Sequence, residues 1–153
     1  MTLENFNEVI DFAVDREKDA VAFYTDLQDM AKFAAQKEML AELADMERGH
    51  IMMLETLRAK GPQEVETEQA KTVPNLKISE YLVEAPPTAN MTYQDILVTA
   101  MKREEKSYAL YTKMAQLLEG QPSSYVLMRI AQEEAGHKLR FEKLYDEEVL
   151  KDN

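Results

Sequence analysis

Apolar positions recur along this chain at steps of three and four, the spacing that places side chains on one face of an α-helix. The first such stripe reads Phe6, Ile10, Ala13, Glu17, Ala20, Tyr24, Leu27 and Ala31. A second runs Leu40, Leu43, Glu47, His50, Leu54 and Leu57. A third is Tyr93, Leu97, Ala100, Glu104, Ser107, Tyr111, Met114 and Leu118, and a fourth is Leu127, Ile130, Glu134, His137, Phe141 and Leu144. Four amphipathic helices are therefore expected, and each stripe is interrupted at its middle by ionisable residues. An interruption there places charge among core side chains, where it is costly unless neutralised.

Local signals set the expected boundaries. Asn5 with Glu8 three residues on forms a capping-box pattern that opens the first helix. A short link near residues 32–36 implies antiparallel neighbours, and the second helix is expected from about Gln36 to Lys60, stopped by Gly61-Pro62. Thr92 with Asp95 caps the third helix. Gly120 closes it, and Pro122 stands near the first position of the fourth, which is expected to run to about Val149. Residues 61–91 hold four of the five prolines, and within them only Leu76 to Leu82 suits a short helix. A link this long exceeds what adjacent antiparallel helices need, so it is expected to cross the length of a bundle. The alternative, a linker between two domains, would leave each helical pair unable to bury its stripe.

Residues 5–60 align on 92–147 without a gap, at an offset of 87 (104 − 17, 134 − 47 and 137 − 50). The alignment pairs Asn5 with Thr92, Arg16 with Arg103, Tyr24 with Tyr111, Leu40 with Leu127 and Gly49 with Gly136. Shared helical composition does not readily reproduce caps, loop length and three ionisable positions in one frame. The chain thus reads as a single domain, 1–153, made of two similar halves joined by the crossover.

Composition narrows the class. At 153 residues with only four Gly, the chain is long enough for one helical core. It has no Cys, which excludes disulfides, thiolate metal sites and iron–sulfur clusters. No apolar run approaches the ~20 residues of a membrane span, and the N-terminus lacks the pattern of a secretion signal. A cytoplasmic location is expected. The net charge of −11 opposes binding to nucleic acid or anionic membranes.

The six interrupting residues, Glu17, Glu47, His50, Glu104, Glu134 and His137, must face one core. Four unneutralised buried carboxylates would cost several kcal/mol each, more than a domain's stability allows. Two divalent cations would balance four carboxylates, with two neutral imidazoles completing the ligand sets. Carboxylate and imidazole without thiolate suit iron or manganese, with zinc or cobalt as possible occupants. Carboxylate-bridged pairs of this kind commonly lie roughly 3.5–4 Å apart. Tyr24 and Tyr111, two turns beyond Glu17 and Glu104, are placed to hydrogen-bond a ligating carboxylate. Glu105, Glu133, Glu55 and Glu142 fall off the metal-facing stripes and read as solvated or paired. The repeated Gly49 and Gly136 suggest close packing beside the site.

The chain resembles the ferritin-like di-iron carboxylate family, and within it the rubrerythrin group. The resemblance is carried by REKDAVAFY (16–24), MERGHIMML (46–54), REEKSYALY (103–111) and EEAGHKLRF (133–141). It implies an all-α, ferritin-like four-helix bundle with a long crossover between its second and third helices. It also implies two iron ions bridged by Glu47 and Glu134, with Glu17 and His50 terminal on one ion and Glu104 and His137 on the other. The implied activity is reduction of hydrogen peroxide or dioxygen. Iron oxidation and storage or handling, and a metal-stapled binding module without catalysis, are the alternatives. Two departures stand out. Rubrerythrins carry a further Glu one turn beyond the third-helix ligand, where this chain has Ser107, with Ala20 at the matching place in the first half. The Cys-rich rubredoxin domain is also missing, so an external electron donor such as a rubredoxin-like protein is implied, together with a homodimer or larger homo-oligomer.

Overall fold

The computed structural model describes residues 3–60 and 92–152, with side chains from Phe6 to Lys60 and from Thr92 to Glu148. Among these residues four helices form: α1 (Leu3–Met30), α2 (Ala34–Lys60), α3 (Tyr93–Leu117) and α4 (Pro122–Asp152). The Thr92 cap is as expected. Its side chain accepts from the Asp95 N–H at 3.1 Å, and Asp95 accepts from the Thr92 N–H at 3.1 Å. Pro122 is the first residue of α4, where its missing N–H costs nothing. Gly120 adopts φ +87° in the preceding turn, a conformation that side chains with a Cβ resist.

Two boundaries differ from expectation. The first helix begins at Leu3, so Asn5 lies inside it and does not cap it. Nothing in Leu3-Glu4 breaks a helix, and the pattern simply starts earlier than the cap signal. The last helix continues through Val149 to Asp152. The crossover residues, including the short helix expected from Leu76 to Leu82, lie outside the described residues.

The core consists of two apolar clusters at opposite ends of the bundle. One joins Phe6, Ile10 and Ala13 of α1 to Leu54 and Leu57 of α2, Leu110 and Met114 of α3, and Leu127 and Ile130 of α4. The other joins Phe23, Tyr24 and Leu27 to Leu40 and Leu43, Ile96 and Leu97, and Phe141 and Leu144. The first cluster therefore takes the N-terminal halves of α1 and α4 and the C-terminal halves of α2 and α3. Helices α1 and α4 run one way, α2 and α3 the other. Helix α2 ends at one end of the bundle and α3 begins at the opposite end, the relation that a crossover requires.

Leu40, Leu43, Leu54, Leu127 and Ile130 are each fully buried. Removing such a side chain to Ala costs about 2–5 kcal/mol, so these two clusters provide the rigidity between which charged groups are held. Surface ion pairs tie the helices at their rims, Arg58 to Asp11 and Arg140 to Glu42, the latter at 3.5 Å. Exposed pairs of this kind contribute little.

Candidate metal centre

Each helix delivers its ionisable residue at the level between the two clusters, because each stripe is apolar on both sides of that position. Glu17, Glu47, Glu104 and Glu134 are each 1% exposed, His50 1% and His137 2%. All six expected residues are thus buried, and the fold brings all six together.

Two overlapping donor groups result. Glu17, Glu47, His50 and Glu134 form one, and Glu47, Glu104, Glu134 and His137 the other, with one ligand atom from each member within 4.8 Å of the others. Glu47 and Glu134 belong to both. The two halves mirror each other closely. His50 Nδ1 lies 2.9 Å from Glu134 Oε1 and 3.5 Å from Glu17 Oε2. His137 Nδ1 lies 2.8 Å from Glu47 Oε1 and 3.5 Å from Glu104 Oε1. The imidazole rings stack at 6.2 Å between centroids.

Proximity here is not hydrogen bonding. Among the described residues, Glu17 Oε2, both oxygens of Glu47, Glu104 Oε2, Glu134 Oε1 and both Nδ1 atoms are buried without a hydrogen-bond partner. Buried polar atoms are ordinarily paired, and these orphans converge on one volume. Lone pairs of oxygen and imidazole nitrogen pointing inward are what a pair of hard to borderline cations requires, so the residues fit the ions that the sequence implies.

Electrostatics point the same way. Burial, then the charges of Glu134 and Glu17, hold the Glu47 carboxyl well above the usual carboxylate range. Burial pushes Glu104 up to about 8. Burial and the Glu104 charge push Glu134 up to about 7. Burial pulls His50 down, but the close carboxylates of Glu134 and Glu17 overcome it and raise the imidazole to about 11. His137, without equal compensation, is pulled down by burial. Glu47, Glu104 and Glu134 are therefore biased toward holding protons when no other cation is supplied. A metal ion would displace those protons on binding.

Around the donor set, Tyr111 donates its hydroxyl to Glu17 Oε1 at 2.6 Å. Burial, then the Glu17 charge, holds that phenol well above its usual range, so it remains a donor. The bond crosses between halves, from α3 to α1, and leaves Glu17 Oε2 as the free oxygen. The expected counterpart does not form. Tyr24 is equally buried, but its hydroxyl has no hydrogen-bond partner among the described residues. Its ring packs on Phe141 at 5.3 Å.

One sequence expectation is corrected and another takes a specific form. A Cβ added at Gly49 or Gly136 would meet nothing within 4 Å, so neither glycine serves close packing among the described residues. Glu133, expected off the metal-facing stripe and solvated or paired, is paired, and its partner belongs to the site: its Oε2 lies 2.5 Å from His50 Nε2. Position 133 flanks the α4 stripe on the side toward α2, and a Glu side chain is long enough to reach across that seam. Glu105 pairs with Lys138 at 3.8 Å on the surface, as expected.

A four-helix bundle that gathers four carboxylates and two imidazoles at its centre defines a ferritin-like carboxylate protein. The rubrerythrin family model matches residues 8–145, and the chain belongs to that family. No curated protein and no solved structure gives a significant match to the chain. Among the described residues, no helix is long and apolar enough to cross a membrane.

Proposed function

We propose that the protein is a di-iron oxidoreductase of the rubrerythrin type, reducing hydrogen peroxide or dioxygen. The observation that supports this most is the sharing of Glu47 and Glu134 between two four-residue donor groups. In this reading Glu47 and Glu134 hold both ions. Glu17 with His50, and Glu104 with His137, complete one ion each. Bound there, two ferrous ions supply two electrons, the number that reduces hydrogen peroxide with two protons to two waters.

The chain's own residues hold and orient that pair. Tyr111 fixes Glu17 through one oxygen and leaves the other toward the ion. The apolar clusters above and below keep bulk water from the carboxylates, so charge interactions in the site are weakly screened. Re-reduction falls to a separate electron-donor protein, and the reading includes self-association into a dimer or larger homo-oligomer.

The test is anaerobic loading with Fe(II), followed by rapid mixing with hydrogen peroxide or with dioxygen. Faster oxidation by peroxide supports the reading. Faster oxidation by dioxygen, with ferric mineral accumulating in a large hollow assembly by light scattering, replaces it with iron storage.

A further inference from the structure

The two halves of the site match in every donor residue, but not in what stands behind the histidines. His50 presents Nδ1 to the donor group and Nε2 to Glu133 Oε2, 2.5 Å away. Glu133 is 26% exposed and is itself held from the solvent side by Arg129 Nε at 3.4 Å. His137 also presents Nδ1 to its donor group, but its Nε2 is buried and has no hydrogen-bond partner among the described residues. The repeat explains the difference. The residue equivalent to Glu133 is Met46 (133 − 87 = 46), and the residue equivalent to Arg129 is Glu42 (129 − 87 = 42). A thioether accepts hydrogen bonds only weakly and carries no charge, so the first half cannot build the same support.

We infer that Glu133 is a positioning residue that makes the two metal positions unequal, with the Glu17–His50 position the tighter. A carboxylate accepting from Nε2–H holds the proton on that nitrogen and leaves the Nδ1 lone pair for the ion. It also fixes the ring plane and raises the basicity of Nδ1. His50 has all three benefits, and His137 has none of them. Loss of such a partner commonly weakens metal affinity 10–100-fold, so the two steps of metal binding should be separated by a factor of that order. This inference rests on the donor-set reading of the preceding subsection, and adds to it an order of filling.

The chain has only two histidines, so a sample labelled with 15N in histidine alone reports on both rings without overlap. Two measurements are made on the full chain with Zn(II), a diamagnetic probe: calorimetric titration of the metal-free protein, and 15N–1H spectra before and after loading. The expected result is two Zn(II) ions bound in two resolved steps. The spectrum should hold one exchange-protected Nε2–H, already present before metal is added. Glu133→Ala should remove that proton signal and weaken the tighter step 10–100-fold, leaving the other step in place. Glu133→Gln keeps an acceptor without the charge, so the signal should persist while the affinity falls part of the way. Met46→Glu should add a second protected Nε2–H and tighten the weaker step.

Two ions bound in steps of equal affinity would overturn the inference while leaving the donor set intact. So would an unchanged titration and spectrum in Glu133→Ala. Failure to bind two Zn(II) ions, with the protected His50 signal still present, would instead sink the donor-set reading and the inference with it. Glu133 and Met46 both lie at partly exposed helix positions, so these substitutions do not disturb the core.

Discussion

Tyr24 and Tyr111 are equivalent in the repeat, equally buried and differ in one bond. Replacing each with Phe removes a single hydroxyl and keeps the ring. At Tyr111 the lost group donates to Glu17 at 2.6 Å, a charge-assisted bond inside the protein. Hydrogen bonds to charged groups contribute about 1.5–3 kcal/mol, and Tyr111→Phe also leaves Glu17 Oε1 buried without a donor. At Tyr24 the hydroxyl has no hydrogen-bond partner among the described residues, so Tyr24→Phe removes a buried group unsatisfied there. That change should be neutral or stabilising by up to about 1 kcal/mol. Urea unfolding of the metal-free proteins at pH 7 separates the two. With a slope of about 2 kcal/mol per molar urea, Tyr111→Phe should lower the midpoint by about 1 M, while Tyr24→Phe should leave it unchanged or raise it. A loss in Tyr24→Phe as large as that in Tyr111→Phe would refute the reasoning.

Three further outcomes follow from the same geometry. Gly49→Ala should stabilise the protein by about 0.5–1 kcal/mol, because a methyl group there meets nothing and glycine is costly in a helix; a fall in the thermal midpoint would contradict this. The metal-free protein should melt lower at pH 8 than at pH 5.5. Glu104 and Glu134 rise from 4.5 to about 8 and about 7, so their contribution is complete below about 4.5 and is lost as pH climbs through those values, at about 1.4 kcal/mol per pH unit for each extra proton held. His50, raised from 6.5 to about 11, runs the same way above 6.5, while the lowered His137 opposes them only toward acid. Metal-loaded protein should show the reverse trend, since ions compete with protons for the same atoms; a metal-free midpoint that rises between pH 5.5 and 8 would contradict the assignment. With Ser107 and Ala20 supplying no seventh carboxylate, diferric and diferrous crystals should both keep His50 and His137 coordinated. Ser107→Glu should create a displaced metal position, and its presence in the parent protein would contradict the expectation.

Periodicity made the site legible. An ionisable residue inside an apolar stripe must be buried, and a shared offset of 87 places both halves in one core, so the burial and convergence of these six residues followed from the sequence. The parallel running of α2 and α3 was also implied, through the length of the link between them. What the sequence concealed is contact across helices. Spacing placed Tyr111 to reach a ligating carboxylate without saying which; the bond goes to Glu17 on α1, because antiparallel packing sets the two side chains face to face. Glu133 was lost for the same reason. Its position lies off the α4 stripe, and only the seam with α2 brings it to His50. Gly49 and Gly136 misled in the other direction: repetition suggested a packing constraint that the described neighbours do not impose. Asn5 failed because a cap signal permits a helix to start but does not stop one from starting earlier.

The sharing of Glu47 and Glu134 between two ions is the central claim, and stoichiometry tests it most directly. Anaerobic titration of the metal-free chain with Fe(II), followed by metal analysis after removal of unbound ion, should reach two irons per chain. Glu47→Ala or Glu134→Ala should weaken both, whereas Glu17→Ala or Glu104→Ala should weaken one far more than the other. A plateau at one iron per chain, or loss of a single iron on removal of Glu47, would contradict the account.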